Sequence, residues 1–358
     1  MAATTPPPAS RIATIDVVRG LAIFIMVPAN MAASVYAEPH AFWFRVVSSF
    51  AAPVFIAVAG MMVALSAGRR PHGLWDAVIR GLMLLAVAAL IEGVIFRVVP
   101  FYSYDVLYLI GIACPLTYLF ARLPRIWQLA LIALIFVATP ILQWKFSYTN
   151  HPGEYVLWGS GAGAREVTPR NPTGLLQHLF VDGWFPLFPW LGMSFAGATI
   201  AQTVFMPPRE EAFRRVVPIA AALLIVGIVA WWLYPGRAYV RDGFSELFYP
   251  PTLGFIVTAC GTVLALVLAL LWAVHFAPDS PIFAPLRWLG ECSLLMYALH
   301  LAIINYMLEP LWPNRGLPTF LLVDLATVLV LVGIAAAVRA AKRAWPERPY
   351  VVRFLFGG

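Results

Sequence analysis

Apolar residues in this chain come in long, closely spaced runs, not in the alternating or one-faced patterns of soluble strands and helices. The runs lie near 13–35, 43–67, 77–99, 104–121, 126–143, 184–205, 216–234, 252–276, 286–308 and 317–338, with Pro, Gly and charged residues between them. A helix needs about 20 apolar residues to cross a 30 Å hydrocarbon layer. Each run therefore predicts a transmembrane helix, and the predicted fold class is an all-α polytopic membrane protein, a bundle of about ten transmembrane helices. The longest break, about 144–183, contains SYTNHPGEYVLWGSGAGAREVTPRNP; a second, YPGRAYVRDGFSELFYPP, carries Arg237, Arg241, Asp242 and Glu246. Such loops read either as lids and acceptor-binding walls or as plain connectors. No internal repeat is visible, which weighs against an inverted-repeat transporter.

Composition strengthens this picture. The chain is 61% hydrophobic and 11% charged, with a mean hydropathy of +0.82, whereas about a quarter of an ordinary soluble domain is charged. The lipid bilayer is thus the expected partner, and no soluble catalytic module is expected. The net charge of +7 does not point to nucleic acid, because no basic run interleaved with aromatics lies outside the spans. It is explained by topology. With Arg11 inside, the inner loops and tail hold Arg69, Arg70, Arg122, Arg125, Arg209, Arg214, Arg215, Arg287, Arg339, Lys342, Arg343, Arg348 and Arg353. The outer segments hold Arg97, Lys145, Arg165, Arg170, Arg237, Arg241 and Arg315. This asymmetry places both termini in the cytoplasm, and an odd number of spans would destroy it. The expected organisation is a disordered tail over 1–12, a membrane domain over 13–340 and a basic cytoplasmic tail over 341–358. The first apolar stretch begins with charged Asp16 and Arg19 and exceeds the length of a signal-peptide core, so it is expected to remain as the first span. Cys114, Cys260 and Cys292 each lie inside an apolar run and offer neither a disulfide framework nor a metal spacing; no metal is expected.

Candidate chemistry lies in polar residues that lipid disfavours, since a charge at the bilayer centre costs roughly 2.5–3.5 kcal/mol on insertion scales. Asp16 and Arg19 share a face of the first span, and Asn30 lies eleven steps of about 100° beyond Arg19, within roughly 20° of that face. The competing view is a structural ion pair at the boundary plus an Asn that joins helices. His40, in AEPHAFWF at the outer mouth, is able to take a proton from an amine or hydroxyl, or simply to pack. In the ninth span Ser293, Tyr297 and His300 form a second polar stripe, equally readable as interhelical hydrogen bonding. His178 and Asp182 precede the sixth span. Glu92, Asp105 and Asp324 read as structural acids. No phosphate-binding loop, nucleophile elbow or zinc-protease motif is present.

The segments RIATIDVVRGLAIFIMVPAN, PHAFWF, FAAPVFIAVAGMMVALS, DVLYLIGIA, DGWFPLFPWLGMSFAG, FYPPTLGFIVTACG and WLGECSLLMYALH, in that order, resemble the heparan-alpha-glucosaminide N-acetyltransferase family and its bacterial relatives, within the transmembrane acyltransferase superfamily. The resemblance implies transfer of an acyl group, an acetyl in that family, from cytoplasmic acyl-CoA (acetyl-CoA) to an amine or hydroxyl of a sugar-type acceptor on the outer side. It implies His40 as base or transient acyl carrier, with Asn30 positioning the thioester or its oxyanion; the spacing of these two is about one residue tighter than the family's. Asp16 and Arg19 would then organise the donor channel, and His300, Tyr297, Asp182 and His178 would serve the acceptor or relay protons. The implied location is a bacterial-type inner membrane; a homodimer is left open. A small-molecule exporter and a non-catalytic membrane subunit on the same scaffold are the alternatives.

Overall fold

The computed structural model describes residues 12–69, 73–101, 104–146, 148, 173–234, 245–277 and 280–357. The N-terminal tail with Arg11, the inner residue Arg70, most of the 144–183 break and the loop residues Arg237, Arg241 and Asp242 lie outside them.

The helices are α1 Ala13–Val35, α2 Phe42–Ser49, α3 Ala51–Arg69, α4 Leu74–Leu90 with a π-helical turn Ile91–Phe96, α5 Val106–Phe120, α6 Arg125–Lys145, and α7 Thr173–Gln177 with a π-helical turn His178–Asp182. They continue as α8 Leu187–Val204, α9 Arg209–Leu233, α10 Leu253–Phe276, α11 Phe283–Glu291, α12 Ser293–Ile303 with a π-helical turn Ile304–Leu308, α13 Glu309–Leu311, α14 Leu317–Ala344 and α15 Tyr350–Leu355. There is no strand among the described residues; one isolated bridge joins Tyr36 to Arg315. Only helices satisfy every backbone polar group within a single segment in lipid, which is why apolar runs of this length fold this way. Eight stretches of the described residues are long and apolar enough to cross a bilayer. The other two predicted spans are also helical: α5 is a shorter apolar helix of 15 residues and α8 has 18. The chain is an all-α polytopic membrane protein.

Helix starts follow local chemistry. α6 and α9 begin directly after Pro124 and Pro208, where the ring's fixed φ suits entry into a helix. The Thr252 hydroxyl accepts the Phe255 N–H at 3.2 Å and caps α10. Two predicted spans are interrupted. The second is broken at Phe50 into α2 and α3, and the ninth at Cys292 (φ −122°, ψ 24°) into α11 and α12. Hydropathy does not register such bends, because it averages over a whole span and each break involves a single residue.

α1, α3, α5, α8 and α10 form the middle of the bundle, while α4, α6, α9 and α14 bury little of themselves. Their outward faces carry Trp144, Trp232, Leu322 and Ile225, all exposed, as expected of a surface solvated by lipid tails with Trp near the rims. One of the tight crossings is α1 against α11. A Cβ on Gly20 would stand 1.8 Å from the Leu286 carbonyl oxygen, and one on Gly290 would stand 1.9 Å from that of Asp16. Lipid tails are as apolar as the helices, so close backbone approach through small residues is a principal source of association.

α14 is fastened at both ends. Before it begins, the Asn314 and Arg315 N–H groups donate to the Ser34 and Val35 carbonyls at 3.3 and 2.6 Å, and Ala37 N–H donates to the Arg315 carbonyl at 2.9 Å. Near its other end Lys342 Nζ donates to the Glu291 carbonyl at 3.0 Å, and Arg339 Nε lies 3.4 Å from Glu291 Oε2. α14 continues past residue 340 to Ala344, and the 341–358 segment includes the short helix α15.

Candidate active site

The polar face of α1 meets the polar face of the α11–α12 arm at two levels, and the two run side by side in the same direction. At the level where α1 begins, Arg19 Nη2 donates to Ser293 Oγ at 2.5 Å and Nη1 lies 3.5 Å from Asp16 Oδ1. Ser293 is the first residue after the Cys292 break, so the bend brings its hydroxyl to the guanidinium. Asp16 and Arg19 therefore act as an ion pair extended across to a second helix. Glu291, two residues before Ser293, gathers Arg339 and Lys342, so cations cluster around Asp16 and Glu291 at this end of the bundle.

Eleven residues further along α1, about 16 Å at 1.5 Å per residue, Asn30 Nδ2 lies 2.9 Å from His300 Nε2. His300 Nδ1 lies 3.1 Å from the Met296 carbonyl. A carbonyl only accepts, so Nδ1 carries the proton and donates, while Nε2 accepts from the Asn30 amide. That assignment leaves the imidazole neutral and orients the amide of Asn30. The His300 ring packs edge-on against Tyr297, centroids 5.4 Å apart, and Tyr297 Oη donates to Asp105 Oδ2 at 2.5 Å. Next to it, Glu92 Oε2 accepts from Tyr108 Oη at 2.5 Å and from Phe101 N–H at 2.9 Å. The two polar stripes of the sequence, on the first and ninth spans, thus meet at two separate levels, and Tyr297 joins Asp105 to the second. A buried polar group left without a partner costs about 1–3 kcal/mol, and these pairings remove that cost.

His40 follows the end of α1. Its ring stacks on Tyr36, centroids 4.5 Å apart and planes 8° apart, and meets Phe44 edge-on. Its Nε2 lies 3.1 Å from the Tyr36 carbonyl and its Nδ1 lies 2.6 Å from Ser245 Oγ. By the same reasoning Nε2 carries the proton, and Nδ1 accepts from the Ser245 hydroxyl. Ser245 is held in turn by α2. Arg45 Nε donates to its carbonyl at 3.3 Å, and Ser49 Oγ accepts the Leu247 N–H at 2.7 Å. Arg45 Nη2 is buried with no hydrogen-bond partner, and Glu246 and Glu38 attract the guanidinium. His178 and Asp182 form a pair of their own, Nδ1 to Oδ1 2.6 Å, and Gln177 Nε2 donates to the other carboxylate oxygen at 2.8 Å. Both are buried, on a turn packed against α6 and α8.

The Asn30–His300 contact bridges 270 positions and the Ser245–His40 contact 205. Neither pairing has a signal in the sequence. Ser245 and Arg45 were not distinguished there: the first lies in an irregular loop without periodicity, and the second resembles any boundary arginine. Among the described residues no three His, Cys, Asp or Glu side chains are arranged to hold a metal ion.

Residues 11–234 match the family model for the catalytic region of heparan-alpha-glucosaminide N-acetyltransferase. The chain belongs to that family. It is therefore a multi-pass membrane protein of an acetyltransferase family, and transferase activity is the family's general chemistry. No curated protein matches the chain significantly. The family match covers α1 to α9 and so includes Asp16, Arg19, Asn30, His40 and Arg45. Ser245, Tyr297 and His300 lie beyond it, and their connection to the family's segment is made by the hydrogen bonds described above.

Proposed function

We propose that the chain moves an acyl group, an acetyl in the first instance, from acyl-CoA to an amine or hydroxyl of a sugar-type acceptor, with His40 as the proton acceptor. The observation that carries this reading is the pair of contacts made by the His40 ring, to the Tyr36 carbonyl and to the Ser245 hydroxyl. The Tyr36 carbonyl holds the proton on Nε2, so Nδ1 presents a lone pair to a hydroxyl 2.6 Å away, the arrangement of a general base. Acyl transfer from a thioester needs such a base and donors for the oxyanion. Asn30, oriented by His300, keeps a second N–H for that use.

The cation-rich end near Arg19, Arg339 and Lys342 suits the phosphates of the donor, and the positive-inside distribution assigns that end to the cytoplasm. The acceptor then approaches from the His40 end, and a bacterial-type inner membrane is the setting. Tyr297, whose Oη donates to Asp105, and the neighbouring His300 are the further polar groups that would serve the acceptor. Purified protein in proteoliposomes, given acetyl-CoA and glucosamine, tests the proposal. The expected result is N-acetylglucosamine and free CoA, with His40→Ala lowering the rate by about 10²–10⁴-fold at unchanged melting temperature. Glucosamine crossing the vesicle membrane unmodified, with no CoA released, would replace the enzyme by a transporter.

A further inference from the structure

We propose that Ser245 is the nucleophile that carries the acyl group between donor and acceptor, activated by His40 and assisted by Arg45. The proposal rests on the acyltransferase reading above and adds a covalent intermediate to it. An activated serine needs a base within hydrogen-bond reach and a third group that orients the base. Here the base is His40 Nδ1, 2.6 Å from Ser245 Oγ, and the orienting group is the Tyr36 carbonyl on Nε2–H at 3.1 Å. Stacking between Tyr36 and Phe44 prevents the ring from tilting away. The single lone pair on the neutral imidazole is directed at the serine hydroxyl. The proton that His40 is placed to take is therefore the serine's, and an acceptor's proton reaches the ring only after Oγ–H has been consumed.

Two more features separate this serine from one that merely fills a hydrogen-bonding site. Its backbone is fixed against α2 by Arg45 Nε on its own carbonyl and by Ser49 on Leu247 N–H, so the residue is anchored beside His40 through its main chain, and the contact with Nδ1 selects the direction of Oγ. The same Arg45 has a buried Nη2 with no hydrogen-bond partner. A buried guanidinium donor without a partner costs free energy, and a developing oxyanion beside Ser245 would satisfy it. Ser245 is buried while His40 is half-buried. Bulk water, the competing nucleophile for an acyl-serine, is thereby kept off Oγ.

In the first half-reaction Oγ attacks the thioester carbonyl carbon as its proton passes to Nδ1. The C–S bond breaks, and Nδ1–H protonates the departing thiolate, leaving acyl-Ser245 and CoA. In the second half, the acceptor's nitrogen or oxygen attacks the ester carbon and gives its proton to Nδ1. The C–Oγ bond breaks and the proton returns to Oγ, which leaves acylated acceptor and the original enzyme.

The test uses the full chain in detergent micelles, incubated with radiolabelled acetyl-CoA without acceptor, quenched in acid and mapped by tandem mass spectrometry. The expected result is one acetyl group on Ser245, chased off by glucosamine. Ser245→Ala should lose at least about 10³-fold in transfer, and Ser245→Cys should retain an adduct that hydroxylamine removes. An adduct on His40, no adduct while wild-type transfer proceeds, or transfer by Ser245→Ala within about tenfold of wild type would each overturn the serine and leave the acyltransferase reading standing. Absence of any transfer by the wild-type protein would instead remove the reading on which the serine rests. The adduct mapping is done on the wild-type chain and does not depend on the variants folding.

Discussion

Replacing Gly290 by Ala tests whether the α1–α11 crossing sets the Arg19–Ser293 contact. The new Cβ would stand 1.9 Å from the Asp16 carbonyl oxygen, so a normal contact of about 3.4 Å requires the helices to separate by about 1.5 Å, with little give in a close-packed interior. Ser293 is three residues from Gly290 and its Oγ is 2.5 Å from Arg19 Nη2. The same displacement carries that distance to about 4 Å, beyond hydrogen bonding. Overpacking costs about 1–3 kcal/mol, and a lost hydrogen bond to a charged group costs about 1.5–3 kcal/mol, so the expected destabilisation is roughly 2.5–6 kcal/mol. Denaturant titration in micelles measures it. On a Ser293→Ala background the bond is already gone, and Gly290→Ala should then cost only the overpacking part, roughly 1–3 kcal/mol. Equal costs on both backgrounds would refute the idea that the glycine positions the arginine–serine bond.

Asn30→Leu and His300→Phe should be coupled in a double-mutant cycle by about 0.6 kcal/mol, at most about 1.7 kcal/mol, the range for interhelical hydrogen bonds in membranes; strictly additive losses would show that the contact does not form. Topology is open to labelling. Asn314→Cys, at the His40 end, should react with a membrane-impermeant maleimide added to intact cells, while a protease site appended after Gly358 stays protected. The three native cysteines are buried, so background labelling should be low, and the reverse pattern would invert the bundle.

The sequence carries most of this architecture, because membrane helices are defined by length and apolarity alone and both are local properties. The shared face of Asp16, Arg19 and Asn30 was also readable, since helical periodicity fixes it before any neighbour is known. The identity of the neighbour was not. That Asn30 meets His300, or Arg19 meets Ser293, depends on α1 lying beside the α11–α12 arm, which follows from glycines spaced to admit a carbonyl and not from any polar motif. Ser245 was least accessible to sequence reasoning. It belongs to no helix, and it gains meaning only when α2, broken from α3 at Phe50, receives its loop.

α14 has 28 residues, about 42 Å of helix against a hydrocarbon layer of about 30 Å. It is tied to the end of α1 at one extremity and to the α11–α12 bend at the other. It works as a spacer bar. A helix resists stretching, so the two ends of the bundle are held at a set separation, and the part around Arg19 does not drift from the part that holds His40. Any rearrangement that admits a substrate must therefore rotate or tilt about this bar and leave its length unchanged.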